Sequence, residues 1–492
     1  MERPNVVFIL TDDQGIWALG CYGNPEIRTP NIDSLAESGL RLTNFFCTSP
    51  VCSPARASLM TGMIPSRHGV HDWIRGGNMP PGAVGYLDGF ECYTDVLARD
   101  GYVCGLSGKW HLGDSMTVQH GFSHWFAHQK GSSRYNNAPM VSDGKAVDYP
   151  GYITDGITDD AVSFIENHRH DRFYLSVHYT APHFPWSGHP QEIMDSYEDC
   201  PFESCPQEPR HPNAGPLTDE CMGKREKLKG YFSAVTAMDA GVGRIVDKLE
   251  TLNLREKTLV VFTSDNGYSC GHNGFWGKGN GTFPLNMYDN SVKVPMIFNH
   301  RGSLDAGKTI DAMTSQYDFM PTLLDYLKLP LPGRSPERTA DHPKDRTAGQ
   351  QAGPLSGNQA LPGKSFLPAL RGEESGGRNE IVVFDEYGPV RMIRTREWKY
   401  IHRYPYGPHE LFNLEDDPKE RNNLIERDEH RETVESLRRR LADWFALYVD
   451  PAMDGSRFPV NGCGQADRIN RILPGEGCFF NDRNSPDMQD TE

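Results

Sequence analysis

Four stretches of this sequence share one pattern, a short run rich in Val, Ile, Phe and Leu that stops abruptly in polar, chemically capable residues. They are PNVVFILTDDQG (4–15), YVCGLSGKWHLG (102–113), RFYLSVHYTAPH (172–183) and TLVVFTSDNG (258–267). Apolar runs of this length between helical stretches predict buried, largely parallel strands. Open α/β sheets gather their sites beyond the carboxyl ends of such strands. Here those ends carry Asp12 and Asp13, Lys109 and His111, His183, and Asp265 and Asn266. A single sheet would bring them all to one rim.

Between the runs, the clearest helix is expected over 224–250. Leu228, Tyr231, Val235, Met238, Val242, Ile245 and Leu249 alternate three and four apart there, making one apolar stripe. Residues 330–363 are rich in Pro, Gly and charge and predict a surface loop. Beyond them come IVVFDEYG (381–388), RMIRTREWKYIHR (391–403) and ELFNLEDDPKERNNL (410–424). A helix follows with Val434, Leu437, Leu441, Trp444, Phe445 and Tyr448 on one face, then an irregular tail from about 450. The expected division is a catalytic domain over 1–375 and a smaller α+β domain with an antiparallel sheet, plus the tail, over 376–492.

Composition narrows the partners. No purely apolar run, VVFIL included, approaches the roughly 20 residues of a membrane span. The 66 acidic residues outnumber the 50 basic ones, a net charge of −16 that disfavours nucleic acid. Attraction for an anionic substrate must then be built locally. The eleven cysteines form no CxxC pair or regular framework, which disfavours structural zinc. MERPNVVFIL has no basic segment and cleavage site, so a cytoplasmic location is expected, or a periplasmic or secreted one had a leader been removed. The sequence assigns no oligomeric state.

PVCSPARASLMTG (50–62) bears the remaining chemistry. Pro54 followed by ARASLM predicts a helix opening near Cys52, where free backbone N–H groups and the helix dipole favour negative charge. Arg56 lies one turn on. An isolated cysteine is more often a small buried hydrophobe; the carboxylates make the second reading. Crowded carboxylates repel unless a cation neutralises them. Asp12, Asp13, Asp265 and the amide oxygen of Asn266 are hard donors, which imply Ca²⁺, with Mg²⁺ as the alternative. Lys109, His111, His183, Arg56 and Lys278 of GKGNGTF complete a pocket suited to a tetrahedral oxyanion.

CSPAR has the C-x-P-x-R core of the type I, formylglycine-dependent sulfatases of the alkaline-phosphatase-like superfamily. The chain also resembles that family, in order, at PNVVFILTDDQG, TGMIPSRHGV, GKWHLG, TAPHFP, TSDNG, GKG and ELFNLEDDPKERNNL, over most of 4–425. The resemblance implies a large, mainly parallel sheet sandwiched by helices. It implies hydrolysis of a sulfate ester, most readily on a carbohydrate, and a maturation enzyme that oxidises Cys52 to formylglycine. The hydrated aldehyde offers two hydroxyls on one carbon: one attacks sulfur, and loss of the other's proton reforms the carbonyl and expels sulfate.

Residue by residue, the match makes Cys52 the nucleophile and a ligand beside Asp12, Asp13, Asp265 and Asn266, with Asp265 also accepting the nucleophile's proton. Arg56 would steady the hydrate and the carboxylates, and Lys109 and Lys278 would offset sulfuryl charge. His111 would deprotonate the second hydroxyl; His183, assisted by Lys278, would serve the leaving oxygen. His68, His71, Trp73, Arg75, Trp186, His272, Trp276 and Arg391 are candidates for the sugar subsite, although aromatic residues are mostly core. One departure is MYDNSVKVP (287–295), where the family often has YEGG, implying a subgroup with its own pocket. Two rivals are a phosphonate monoester or phosphodiester hydrolase of the same superfamily and a non-enzymatic carbohydrate-binding protein. A two-zinc phosphatase site would want more histidine at the rim and a Ser or Thr nucleophile.

Overall fold

Seven consecutive buried residues, Asn5–Thr11, form strand β1 in the computed structural model, which describes residues 3–332, 361–373, 377–385, 390–469 and 477–480. Most of the loop expected at 330–363 lies outside the described residues. Side chains of β1 alternate between two cores: Val6, Phe8 and Leu10 enter one, Val7 and Ile9 the other. A strand buried on both faces requires this two-residue repeat.

The main sheet also contains β2 (Leu40–Phe46), β3 (Val103–Gly108), β4 (His124–His128), β5 (Asn136–Ser142), β6 (Lys145–Tyr152), β7 (Phe173–His178) and β8 (Thr258–Ser264). After a hairpin of β9 (Ser269–Cys270) and β10 (Trp276–Gly277) come β11 (Lys293–Asn299), β12 (Lys308–Ile310) and β13 (Thr314–Ser315). The order across the sheet is β12-β2-β11-β8-β1-β7-β3-β4-β5-β6, with β13 beside β2. Strands β8, β1, β7, β3 and β4 run parallel, whereas β11 lies antiparallel to β8 and β2. The four strands read from the sequence are therefore the adjacent set β8-β1-β7-β3, and their carboxyl ends share one edge.

Helices cover both faces. Pro30–Glu37, Ile153–Asn167 and Arg225–Thr251 pack on the Val7/Ile9 side. All seven residues of the predicted 224–250 stripe are buried there, each worth about 1.5–3 kcal/mol as an upper bound. Cys52–Thr61, Tyr93–Arg99 and Phe319–Tyr326 lie on the other side.

A second, antiparallel sheet follows: β14 (Ile381–Asp385), β15 (Val390–Arg394), β16 (Trp398–Arg403) and β17 (Glu410–Asn413), in that order. Residues 386–388 of the expected first strand lie outside the described residues. Ile381, Val383, Met392, Ile401 and Phe412 on one face join the core of the main body. Val382, Ile393, Tyr400 and Leu411 on the other are covered by Leu437, Leu441 and Phe445 of helix Arg431–Tyr448. No helix among the described residues is long and apolar enough to cross a membrane.

Candidate active site

Cys52 is the first residue of helix Cys52–Thr61, two residues before Pro54. Every residue of that helix is buried. Beyond the strand ends, backbone bonds hold the rim together: Asp12 N donates to Ala181 O (3.1 Å), Asp265 N to Thr11 O (3.1 Å) and Lys109 N to His178 O (2.8 Å). Lys109 and His111 do not continue β3. The strand stops at Gly108, whose φ of +115 needs a residue without Cβ. His111 itself has φ +54.

These ends converge on Cys52. One oxygen each from Asp12, Asp13 and Asp265 lies with the Cys52 sulfur within 4.8 Å of one another. Asp12 Oδ1 is 3.2 Å from Cys52 Sγ, and Lys278 Nζ is 2.9 Å from it on another side. Lys278 Nζ also donates to Asp13 Oδ1 at 2.5 Å, as Lys109 Nζ does to Asp12 Oδ2 at 2.5 Å. Arg56 reaches Asp265 Oδ2 with Nε (3.0 Å) and a terminal nitrogen (2.9 Å), and donates from the other to Lys109 O (3.0 Å). His183 Nε2 stands 3.6 Å from Asp13 Oδ2.

Charge is divided unevenly among these groups. Burial disfavours the Asp12 anion, yet Lys109, His183, Arg56 and Lys278 together hold its carboxyl well below the ordinary range. Asp265 is pushed up to about 7 by burial and the Asp12 charge, against Arg56 and Lys109. Burial, and then Asp12, drive the Cys52 thiol upward despite the lysines. His111 is held neutral, first by burial and then by Lys109.

The donor set fits a hard cation. Three carboxylates meet here, and Asn266, whose Nδ2 donates to Asp13 Oδ1 (2.8 Å), has a buried Oδ1 with no hydrogen-bond partner among the described residues. An acceptor left so is costly unless something positive faces it.

The sugar-subsite candidates do not gather in the same way. Trp186 and Trp276 are buried against each other, their ring N–H groups given to Pro182 O (2.8 Å) and Gln207 Oε1 (3.3 Å). His68 is buried, with Ser58 Oγ 3.1 Å from Nε2 and Val70 N donating to Nδ1. His272 pairs with Ser204 O, and Arg391 with Asp454 Oδ1 (2.6 Å) across the Phe445 ring. His71 is buried near Phe458, while Trp73 and Arg75 bond to the carbonyls of Gly462 and Cys463 in the tail. As placed, most of the eight hydrogen-bond to neighbouring backbone, because a buried polar ring or guanidinium atom needs a partner.

Two residues that hold the Asp265 and Lys109 carbonyls were not read from the sequence. Gln316 donates to Asp265 O (2.7 Å) and accepts from Thr48 N (2.9 Å), with no motif to mark it. His178 gives Nδ1–H to Lys109 O (3.0 Å), the carbonyl that Arg56 also uses; its place as the last residue of β7 was the available signal.

A model of the family described as Sulfatase matches residues 4–329. An ulvan-active sulfatase of Formosa agariphila is 30% identical over 442 residues, 86% of this chain and 77% of that protein. An N-acetylglucosamine-6-O-sulfatase of Bacteroides thetaiotaomicron is 25% identical over 523 residues, 91% of this chain and 87% of that one. A solved structure, BT4656 with its substrate D-glucosamine-2-N,6-O-disulfate, superposes with a TM-score of 0.75 at 24% identity, covering 93% and 100% of the two chains. The chain belongs to the sulfatase family and is a sulfuric ester hydrolase.

Proposed function

We propose that this enzyme removes sulfate from a carbohydrate, using residue 52 as its nucleophile after the cysteine is converted to formylglycine. The observation that carries the reading is the encirclement of Cys52 by Asp12, Lys278 and the convergent carboxylates at the head of a buried helix. An unconverted thiol is a poor nucleophile here, because burial and Asp12 disfavour its thiolate. A hydrated aldehyde supplies two hydroxyl oxygens at the same point. The sugar follows from the ulvan and N-acetylglucosamine substrates named for the two relatives.

Asp12, Asp13, Asp265 and Asn266 would hold Ca²⁺ or Mg²⁺, which supplies Lewis acidity toward a sulfate oxygen and the attacking hydroxyl. The fork of Arg56 fixes the Asp265 carboxylate, and Lys109 fixes Asp12. Lys278 brings positive charge to the transferring group. His111 gives its Nε2–H to Ile74 O at 2.9 Å, so the neutral ring keeps its lone pair on Nδ1, the atom of a base. His183 gives Nδ1–H to Phe184 O (2.6 Å) and turns Nε2 toward Asp13. It is the less enclosed of the two histidines, with 22% of its side chain exposed, as suits a group serving the departing alcohol. The catalytic unit is 1–375, and 376–492 is its smaller companion.

Co-expression with a formylglycine-generating enzyme tests the reading. Conversion removes roughly 18 Da from the peptide carrying residue 52. The converted protein should hydrolyse members of a panel of sulfated mono- and oligosaccharides, and Cys52→Ala should lose turnover altogether. Faster hydrolysis of an aryl phosphodiester or phosphonate than of every sulfate ester would sink the proposal.

A further inference from the structure

We propose that Gln465, in the tail beyond the last helix, is a positioning residue that holds His111 in its working orientation; this rests on the role given to His111 above. Gln465 is completely buried. Its side chain closes on a segment 393 to 396 residues away in the sequence: Oε1 accepts from His71 N (2.9 Å) and Asp72 N (3.4 Å), and Nε2 donates to Gly69 O (2.9 Å) as well as to the nearby Asp467 O (3.1 Å). Its backbone joins in. The amide donates to Trp73 O (2.8 Å), and the carbonyl accepts from Arg75 N (3.0 Å) and Gly76 N (3.1 Å). Ile74, between those partners, forms an isolated parallel bridge with Gln465.

Ile74 is the link to the chemistry. Its N–H donates to Ser53 Oγ at 3.0 Å, beside Cys52, and its carbonyl accepts Nε2–H of His111 at 2.9 Å. One residue's main chain thus ties the head of the Cys52 helix to the imidazole, and Gln465 holds that main chain from behind. The bond to Ile74 O selects the tautomer, leaving Nδ1 as the buried atom without a hydrogen-bond partner among the described residues. The ring has little room to drift: a Cβ added to Gly131 would lie 2.4 Å from its Cε1 and Nε2. Displacements near 1 Å cost a base up to about a hundredfold in rate.

Gln465→Met, of similar volume, should lower kcat for an aryl sulfate about tenfold or more, with KM within about threefold. Melting midpoint and formylglycine content are measured on the same samples. Ser53→Ala cuts a second tie on Ile74, whose carbonyl also accepts from Asn78 Nδ2 (3.2 Å), so its loss combined with Gln465→Met should be less than the product of the single losses. Gln465→Glu keeps the acceptor oxygen for His71 N and Asp72 N and serves where the methionine variant folds poorly, with an intermediate loss. In ¹⁵N-histidine-labelled Cys52→Ala protein, Gln465→Met should also shift the His111 Nε2–H resonance, a readout independent of turnover. A folded, matured Gln465→Met enzyme with kcat within twofold of wild type and an unmoved His111 resonance would overturn the assignment. If wild type turns over no sulfate ester, the sulfatase mechanism fails instead, and the resonance alone decides whether Gln465 holds His111.

Discussion

Gly108 shows how one residue places a charge. At φ +115 it ends β3, and a Cβ there would sit 2.0 Å from His178 O, the carbonyl that receives Lys109 N. Gly108→Ala should therefore cost about 1–3 kcal/mol in backbone strain alone and also displace Lys109 from Asp12. Denaturant melts and kcat on the matured variant check both effects; a wild-type midpoint would refute the packing argument. Asp12, Asp13, Lys109, His111, His183, Asp265 and Asn266 were legible because each terminates an apolar run, and an abrupt change of residue type is a local signal. The reversal at Gly108 was not legible. Its cause is the carbonyl that faces Gly108 from β7, more than sixty positions away in the sequence.

At the scale of elements, the departure MYDNSVKVP anchors the second sheet. Asp289 accepts from Lys399 of β16 at 2.6 Å and pairs with Arg394 of β15, while Asp289 N donates to Glu420 Oε2 (2.6 Å) and Lys399 also bonds Glu420. Although burial opposes it, Asp289 stays ionised, pulled well below its ordinary range by Lys399 and Arg394. Glu420 then takes the proton: burial raises it to about 7, Asp289 adds to the rise and Lys399 opposes it. The folded chain keeps this proton up to about pH 7, whereas the unfolded chain sheds it from 4.5 upward. Unfolded molecules bind fewer protons in that window, so this group's contribution to stability falls as pH rises through it. Glu420→Gln should flatten the decline in melting midpoint between about pH 5 and 7; an unchanged slope would exclude Glu420 as its source. The strands and closing helix of this sheet were legible from their periodicity. The ion cluster was not, because its members lie on separate elements with no spacing in common.

Over the whole molecule, the sheet and the helix at Cys52 are locked together through oppositely charged side chains buried without exception at the rim. A divalent ion bound there would tie β1, β8 and that helix into one unit. Adding Ca²⁺ to chelator-treated protein should raise the melting midpoint, by about 2.7 kcal/mol of stability at a hundred times its dissociation constant. Asp265→Asn should abolish that increment together with kcat. Equal midpoints with and without the ion would remove the metal from the reading. The sequence by itself determined the parallel-strand class, the chemistry waiting at each strand end and the helix that starts at Cys52, since period and residue type act over a few neighbouring positions. Only the tertiary structure decided that the four strands lie side by side as β8-β1-β7-β3, that Trp186 and Trp276 turn inward, and that Gln316 and Gln465 support the site. Those outcomes depend on contacts between residues tens to hundreds of positions apart, and such contacts are settled by packing and hydrogen-bond satisfaction across the whole chain.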